Sequence, residues 1–92
     1  MAVIDISPLP VGLQLRVRRT ALQLNQAALG ALVGVPIERV CEAEKESRYR
    51  SPAALVEMQG RIDDALRRVE AERYGRWLSE QDTHVPVEAG AA

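Results

Sequence analysis

From Pro52 to Gln81 the chain repeats apolar residues at a helical interval, and this one stretch takes up about a third of its length. Leu55, Met58, Ile62, Leu66, Val69 and Trp77 fall three, four or eight residues apart, a single stripe along one side of a helix that only Arg73 interrupts. About 28 residues of helix extend roughly 42 Å. The shorter segments that remain cannot build a core long enough to cover it. Either the helix overhangs, or it breaks near Gly60 and folds back, burying Trp77 within one chain. If it overhangs, Val69, Tyr74, Trp77 and Leu78 are left exposed, and a Trp-centred apolar patch marks an interface, here between two copies of the chain.

The rest of the chain has to be helical too. Of its 92 residues 47% are hydrophobic, yet there is no Phe, one Trp and two Tyr, so the core is aliphatic. That mix suits packed helices better than a sheet, whose strands favour aromatic and β-branched residues. A chain this short buries roughly two-thirds of its unfolded surface, enough for one small core. One Cys (Cys41) and one His (His84) cannot supply the four ligands of a structural zinc site or a disulfide framework. No cofactor is expected. No apolar run reaches the ~20 residues of a membrane span, and the start lacks the basic region and long apolar stretch of a signal peptide. A lone thiol and these absences together point to the cytoplasm. No Ser/His/Asp set, Gly-rich phosphate loop or carboxylate pair suggests an enzyme; Asp63-Asp64 reads as a helix face, and nothing near Cys41 resolves or activates its thiol.

Charge divides the chain. Residues 16–50 hold Arg16, Arg18, Arg19, Arg39, Lys45, Arg48 and Arg50 against four acids, a local net of +3, whereas residues 51–92 have a net of −3. One half is thereby marked as facing an anion. Ser7-Pro8 and Pro10 punctuate an N-terminal arm, and a first helix runs from Val11 to Leu24 with Leu15 and Leu22 on one face. Asn25 caps a second helix, Gln26 to Val33, which Gly34 ends. Pro36 opens a third in its first turn, continuing to Lys45. Polar residues 46–51 form a loop before Pro52, and the segment from Asp82 reads as a frayed tail that holds His84.

The segment Gln26–Lys45, QAALGALVGVPIERVCEAEK, carries the functional argument. Two short helices that cross at a tight turn need an apolar knob (Leu29), then a residue small enough for close approach (Gly30). They need an apolar residue before the turn (Val33), a glycine able to take positive φ (Gly34) and an inward apolar residue after it (Val35). Val40 and Ala43, three apart, then face inward from the second helix. An ordinary αα-hairpin packs by the same rules.

This pattern, together with Arg19 and Leu24 before it and Glu44 and Pro52 after, resembles the helix-turn-helix of the Cro and phage-repressor (XRE-type) transcriptional regulators over roughly residues 13–66. The resemblance implies an all-α fold, a compact helix-turn-helix bundle of four to five helices with a long C-terminal helix. Taken with the punctuation and the apolar stripe read above, the chain divides into an arm (1–10), a DNA-binding domain (11–66), a dimerisation extension (67–81) and a tail (82–92). The resemblance places the third helix in the major groove of double-stranded DNA. Gln26, Ile37, Glu38, Arg39 and Glu42 then face bases: the glutamates accept from cytosine N4, Ile37 touches a thymine methyl and Arg39 reaches guanine or phosphate. Arg16, Arg19, Lys45, Arg48 and Arg50 grip phosphates. Glu44 falls where that family pairs or caps within the fold. The chain departs from the pattern at Arg18, where an apolar residue is frequent, and at Glu46, where glycine is. The function implied is a sequence-specific repressor acting as a homodimer on an inverted repeat. The alternatives are an antitoxin that covers a toxin with its acidic half and regulates its own operon, and a helical adaptor that binds protein alone.

Overall fold

The breakers in the sequence set the helix order. The computed structural model describes residues 5–49 and 51–82. These form α1 (Val11–Ala21), α2 (Gln26–Val33), α3 (Ile37–Lys45) and α4 (Pro52–Asp82), with no strand among the described residues. The described residues are all-α, a compact four-helix globule with a long C-terminal helix. Met1–Ile4, Arg50 and residues 83–92, His84 included, lie outside the described residues.

α2 and α3 begin and end for local reasons. The Asn25 side chain accepts from the Ala28 N–H at 2.7 Å, closing the start of α2. Gly34 adopts φ 84° at its end, and the Gly34 and Val35 N–H groups both donate to the Gly30 carbonyl. Gly30 has no room for a side chain, because a Cβ there would stand 2.7 Å from the Val35 oxygen. Pro36 caps α3 from one residue before its first turn rather than within it, where its missing N–H is equally harmless.

α1 stops three residues short of the expected Leu24. Leu22 caps it, Gln23 turns left-handed at φ 59°, and the Leu24 N–H reaches back to the Arg19 carbonyl. This tight exit returns Leu24 to the core and leaves Asn25 free to start α2. At its other end Pro10 offers no capping side chain. The cap comes from across the fold: the Gly12 N–H donates to the Glu46 carboxylate at 3.0 Å. Glu46 itself ends α3 in a left-handed conformation, φ 57°, at the position where glycine was expected. That conformation costs a residue with a Cβ about 1–2 kcal/mol. The hydrogen bonds from Gly12 and from Gln59 Nε2, the latter at 3.1 Å, work against that cost.

The core gathers Leu15 from α1, Leu29 from α2, Val40 and Ala43 from α3, and Ile62, Ala65 and Leu66 from α4. As the absence of Phe requires, it is aliphatic throughout. α4 runs unbroken through Gly60, which excludes the folded-back alternative. It also closes the other helices at their ends. Arg61 donates to the Val33 carbonyl at the end of α2, Gln59 to the Ala43 carbonyl near the end of α3, and Arg73 to the Leu22 carbonyl at the end of α1. Arg18, the departure on α1, forks between Asp63 at 2.5 Å and Glu70 at 2.7 Å. The Glu70 carboxylate leads in holding the Arg18 guanidinium charged, against partial burial and with help from Asp63. Partial burial pushes the Asp63 carboxyl up, but Arg18 and Arg67 more than offset this and hold it below its ordinary value. α4 therefore stays tied to the globule past Leu66, as far as Arg73.

Gly12 is the tightest point of the fold. A Cβ there would lie 2.6 Å from the Ala43 carbonyl oxygen and closer still to that of Glu44. These are backbone atoms, which cannot swing aside. Gly12→Ala should destabilise the protein by about 1–3 kcal/mol or more in urea denaturation. Gly60→Ala, where a Cβ meets nothing within 4 Å, should instead be neutral or stabilise by up to about 1 kcal/mol.

Candidate nucleic-acid interface

α3 is held by one side and open on the other. Val40, Ala43 and Glu44 are buried; Glu38, Arg39 and Lys45 are exposed; Cys41 and Glu42 are half-buried; Ile37 at its start is 44% exposed. Along one flank an open groove of about 610 Å³ separates α3 from α1 and the start of α2, lined by Leu13, Arg16, Gln26, Ile37, Cys41 and Lys45 among others. Along α3 Glu38, Cys41, Glu42 and Lys45 share a smaller hollow with Ser47 and Arg48 beyond its end. On the opposite flank Arg39 lies beside Tyr49, Met58 and Arg61.

The floor of the groove is a buried ion pair. Arg19 meets Glu44 through two contacts, Nε to Oε2 at 2.6 Å and Nη2 to Oε1 at 3.1 Å, and donates from Nη1 to the Leu24 carbonyl at 2.8 Å. The two side chains are only 12% and 2% exposed. Gln26 Nε2 joins them, donating to Glu44 Oε1 at 3.1 Å. Three elements meet here: α1 supplies the guanidinium, α2 the amide and α3 the carboxylate. Arg19 is thus corrected from a phosphate ligand to an internal tie, since all three of its nitrogens are occupied within the fold. Glu44 pairs inside the protein, as the resemblance implied.

The other expected cations are placed differently. Arg16 and Lys45 flank the groove, and Arg48 stands beyond the end of α3 in a left-handed conformation at φ 62°. None of the three makes an ion pair or side-chain hydrogen bond with another described residue. Arg50 lies outside the described residues. Of the residues expected at bases, Ile37 and Glu38 are exposed, Glu38 with no ion pair to another described residue, while Arg39 leans on Glu42 at 3.5 Å and Gln26 is shared with the Glu44 pair. Tyr49 is a residue that sequence reasoning missed. Its hydroxyl donates to the Arg39 carbonyl at 3.0 Å and pins the following loop to α3. Burial, and then the nearby Glu42 carboxylate, push its phenol up from its ordinary value despite Arg39. The available signal was a single aromatic in an otherwise polar loop.

No protein-family model, curated protein or solved structure matches this chain.

At the far end of α4, Tyr74 and Trp77 are 61% and 51% exposed, with rings stacked 5.9 Å apart and 14° from parallel. Val69, expected to be exposed with them, is instead half-buried beside Leu32 and Ala65. The Leu78 side chain lies outside those described. Among the described residues no group of three His, Cys, Asp or Glu could hold a metal ion, and no helix is long and apolar enough to cross a membrane.

The Arg19–Glu44 pair should carry the geometry of this face. Removing either partner leaves an uncompensated buried charge, so Arg19→Ala and Glu44→Ala should each cost about 3–5 kcal/mol in denaturant unfolding. Arg16→Ala, one residue type in a solvated setting, should stay within about 0.5 kcal/mol of wild type.

Proposed function

We propose that the chain is a DNA-binding repressor of the XRE type that sets α3 into the major groove and acts as a homodimer on an inverted-repeat operator. The observation that carries this reading is the α2–turn–α3 unit, locked by Gly30, Gly34 and the Arg19–Glu44–Gln26 cluster, with its open side flanked by the unpaired Arg16, Lys45 and Arg48. Such a unit holds a helix rigidly while leaving cations free for phosphates, which fix register and affinity. One module of this size reads few base pairs. Two recognition helices about 34 Å apart, one DNA turn, double the readout. The exposed Tyr74–Trp77 stack, past the last tie at Arg73, is the surface through which the copies pair.

One observation favours a second reading. The open side of α3 carries two carboxylates, Glu38 and Glu42, which suits a basic protein partner: the chain as an adaptor, or as an antitoxin that also binds its own operator.

A gel shift with duplex DNA from upstream of the gene separates the two DNA-binding readings from the protein-only adaptor, which shifts none of it, and the gene's neighbours separate a free-standing regulator from an antitoxin. Lys45→Ala and Arg48→Ala should weaken binding to all sequences about equally. Each should flatten the log–log salt dependence by roughly one unit; an unchanged slope removes that side chain from the interface. Sedimentation at micromolar concentration should give a dimer for the intact chain and a folded monomer for Tyr74→Ala combined with Trp77→Ala, the latter having lost most operator affinity. A wild-type monomer refutes the two-half-site mechanism.

A further inference from the structure

α4 leaves two apolar patches open along one seam. The first lies near its start. Val56 is 67% exposed, and at Gly60 a Cβ would meet nothing within 4 Å. With the exposed Val11 of α1 they line an open groove of about 300 Å³. The second patch is the Tyr74–Trp77 stack, past the last tie at Arg73. Steps of four and three residues alternate from Val56 through Gly60 to Tyr74 and Trp77. This is the repeat of about 3.5 residues that keeps one side of a helix against a partner helix. Between the patches the charges are already matched: Arg18 takes Asp63 and Glu70, and Arg67 holds Asp63 at 2.8 Å. The groove shares no lining residue with the one beside α3, so covering it leaves that face open.

The area a stable pair needs decides how the patches are covered. Residues 74–82, all that follows Arg73 in α4, extend about 14 Å. Two such ends meeting tip to tip are too short to bury the roughly 800 Å² per partner of a stable complex. Pairing along the seam from Val56 to Trp77 extends about 33 Å. Parallel helices would set Gly60 against Gly60, leaving a gap, and Trp77 against Trp77, bulk on bulk. Antiparallel helices that cross beside Arg67 set residue 60 against residue 74, so an aromatic side chain meets the notch. Arg67 lies at the crossing in either arrangement and is held by its own Asp63, so the apolar ends make the choice.

Resting on the homodimer reading above, we infer that the Tyr74–Trp77 stack of each copy seats in the Val11–Val56–Gly60 groove of the other, along an antiparallel pair of α4 helices. Each copy then carries one projecting and one receiving patch, and a single two-fold contact covers all four. The missing side chain at Gly60 admits the ring, which gives that glycine a role the isolated chain does not.

The test uses the full chain. At micromolar concentration, where wild type should sediment as a dimer, Gly60→Arg and Val56→Glu should each sediment as a monomer. Both positions are open in the single chain, so circular dichroism should show unchanged helix content. Orientation is read by crosslinking on a Cys41→Ser background. Gly60→Cys mixed with Tyr74→Cys should form an intermolecular disulfide on mild oxidation, and neither variant should do so alone, because only opposed residues bring their Cα atoms within disulfide range. Three results overturn the seating while the dimer stands: self-crosslinking of either variant alone, no disulfide in the mixture, or a dimer that survives both groove substitutions yet is lost when Tyr74→Ala and Trp77→Ala are combined. A wild-type monomer overturns the homodimer reading and this inference together.

Discussion

The seam between α1 and α3 determines where every other surface lies. Near one end the Gly12 backbone rests against the last carbonyls of α3 and donates to Glu46; two turns along α1, Arg19 closes on Glu44. The two contacts fix α3 in both position and rotation, because they engage it at neighbouring residues from two points along α1. A positive helix end also meets a negative one, so the macrodipoles of α1 and α3 attract at the point of closest approach. Glycine at residue 12 is what lets them come this near. Rotating α3 by one residue would bury Lys45 in place of Glu44 and turn Val40 and Ala43 out of the core.

α4 does for the other helices what their own sequences do not. Short helices leave several carbonyls unsatisfied at each C-terminus. Here Arg61, Gln59 and Arg73, spaced along one helix, reach those of α2, α3 and α1 in turn. Arg18 answers from the opposite side by gripping Asp63 and Glu70, two turns apart. The long helix is therefore a splint, and its length past Leu66 is partly explained by the ends it has to reach. Only the turns after Arg73 have no such duty, and there the aromatic stack lies in the open.

Much of this was legible in the chain because much of it is local. Asn25, Gly30, Gly34 and Val35 each impose a backbone condition within four or five residues, so α2, the turn and α3 could be read directly. The apolar stripe of α4 was legible for the same reason. Partners distant in sequence were not. That Arg19 faces inward and Arg16 outward depends on where Glu44 stands, 25 residues away. Glu46 looked like a defect in a glycine position until Gly12 and Gln59 supplied its hydrogen bonds. Arg73 looked like an interruption of an apolar stripe, yet it occupies the place where the stripe meets the open end of α1.

A net charge of −1 argues against a polyanion partner only if all charges count equally, and in this fold they do not. Arg18, Arg19, Arg61 and Arg73 are used within the globule, and Arg39, Arg67 and Arg76 lean on acids along their own helices. Each acid in such a pair is neutralised as well. Among the described residues near α3, Arg16, Lys45 and Arg48 make no ion pair, and the last two share a hollow with Glu38. Cations without an internal partner act on a surrounding charge over the screening length, whereas those already paired within the globule contribute little beyond their own neighbours. Bulk composition reports the sum of these charges; the pairing pattern decides which of them a partner meets.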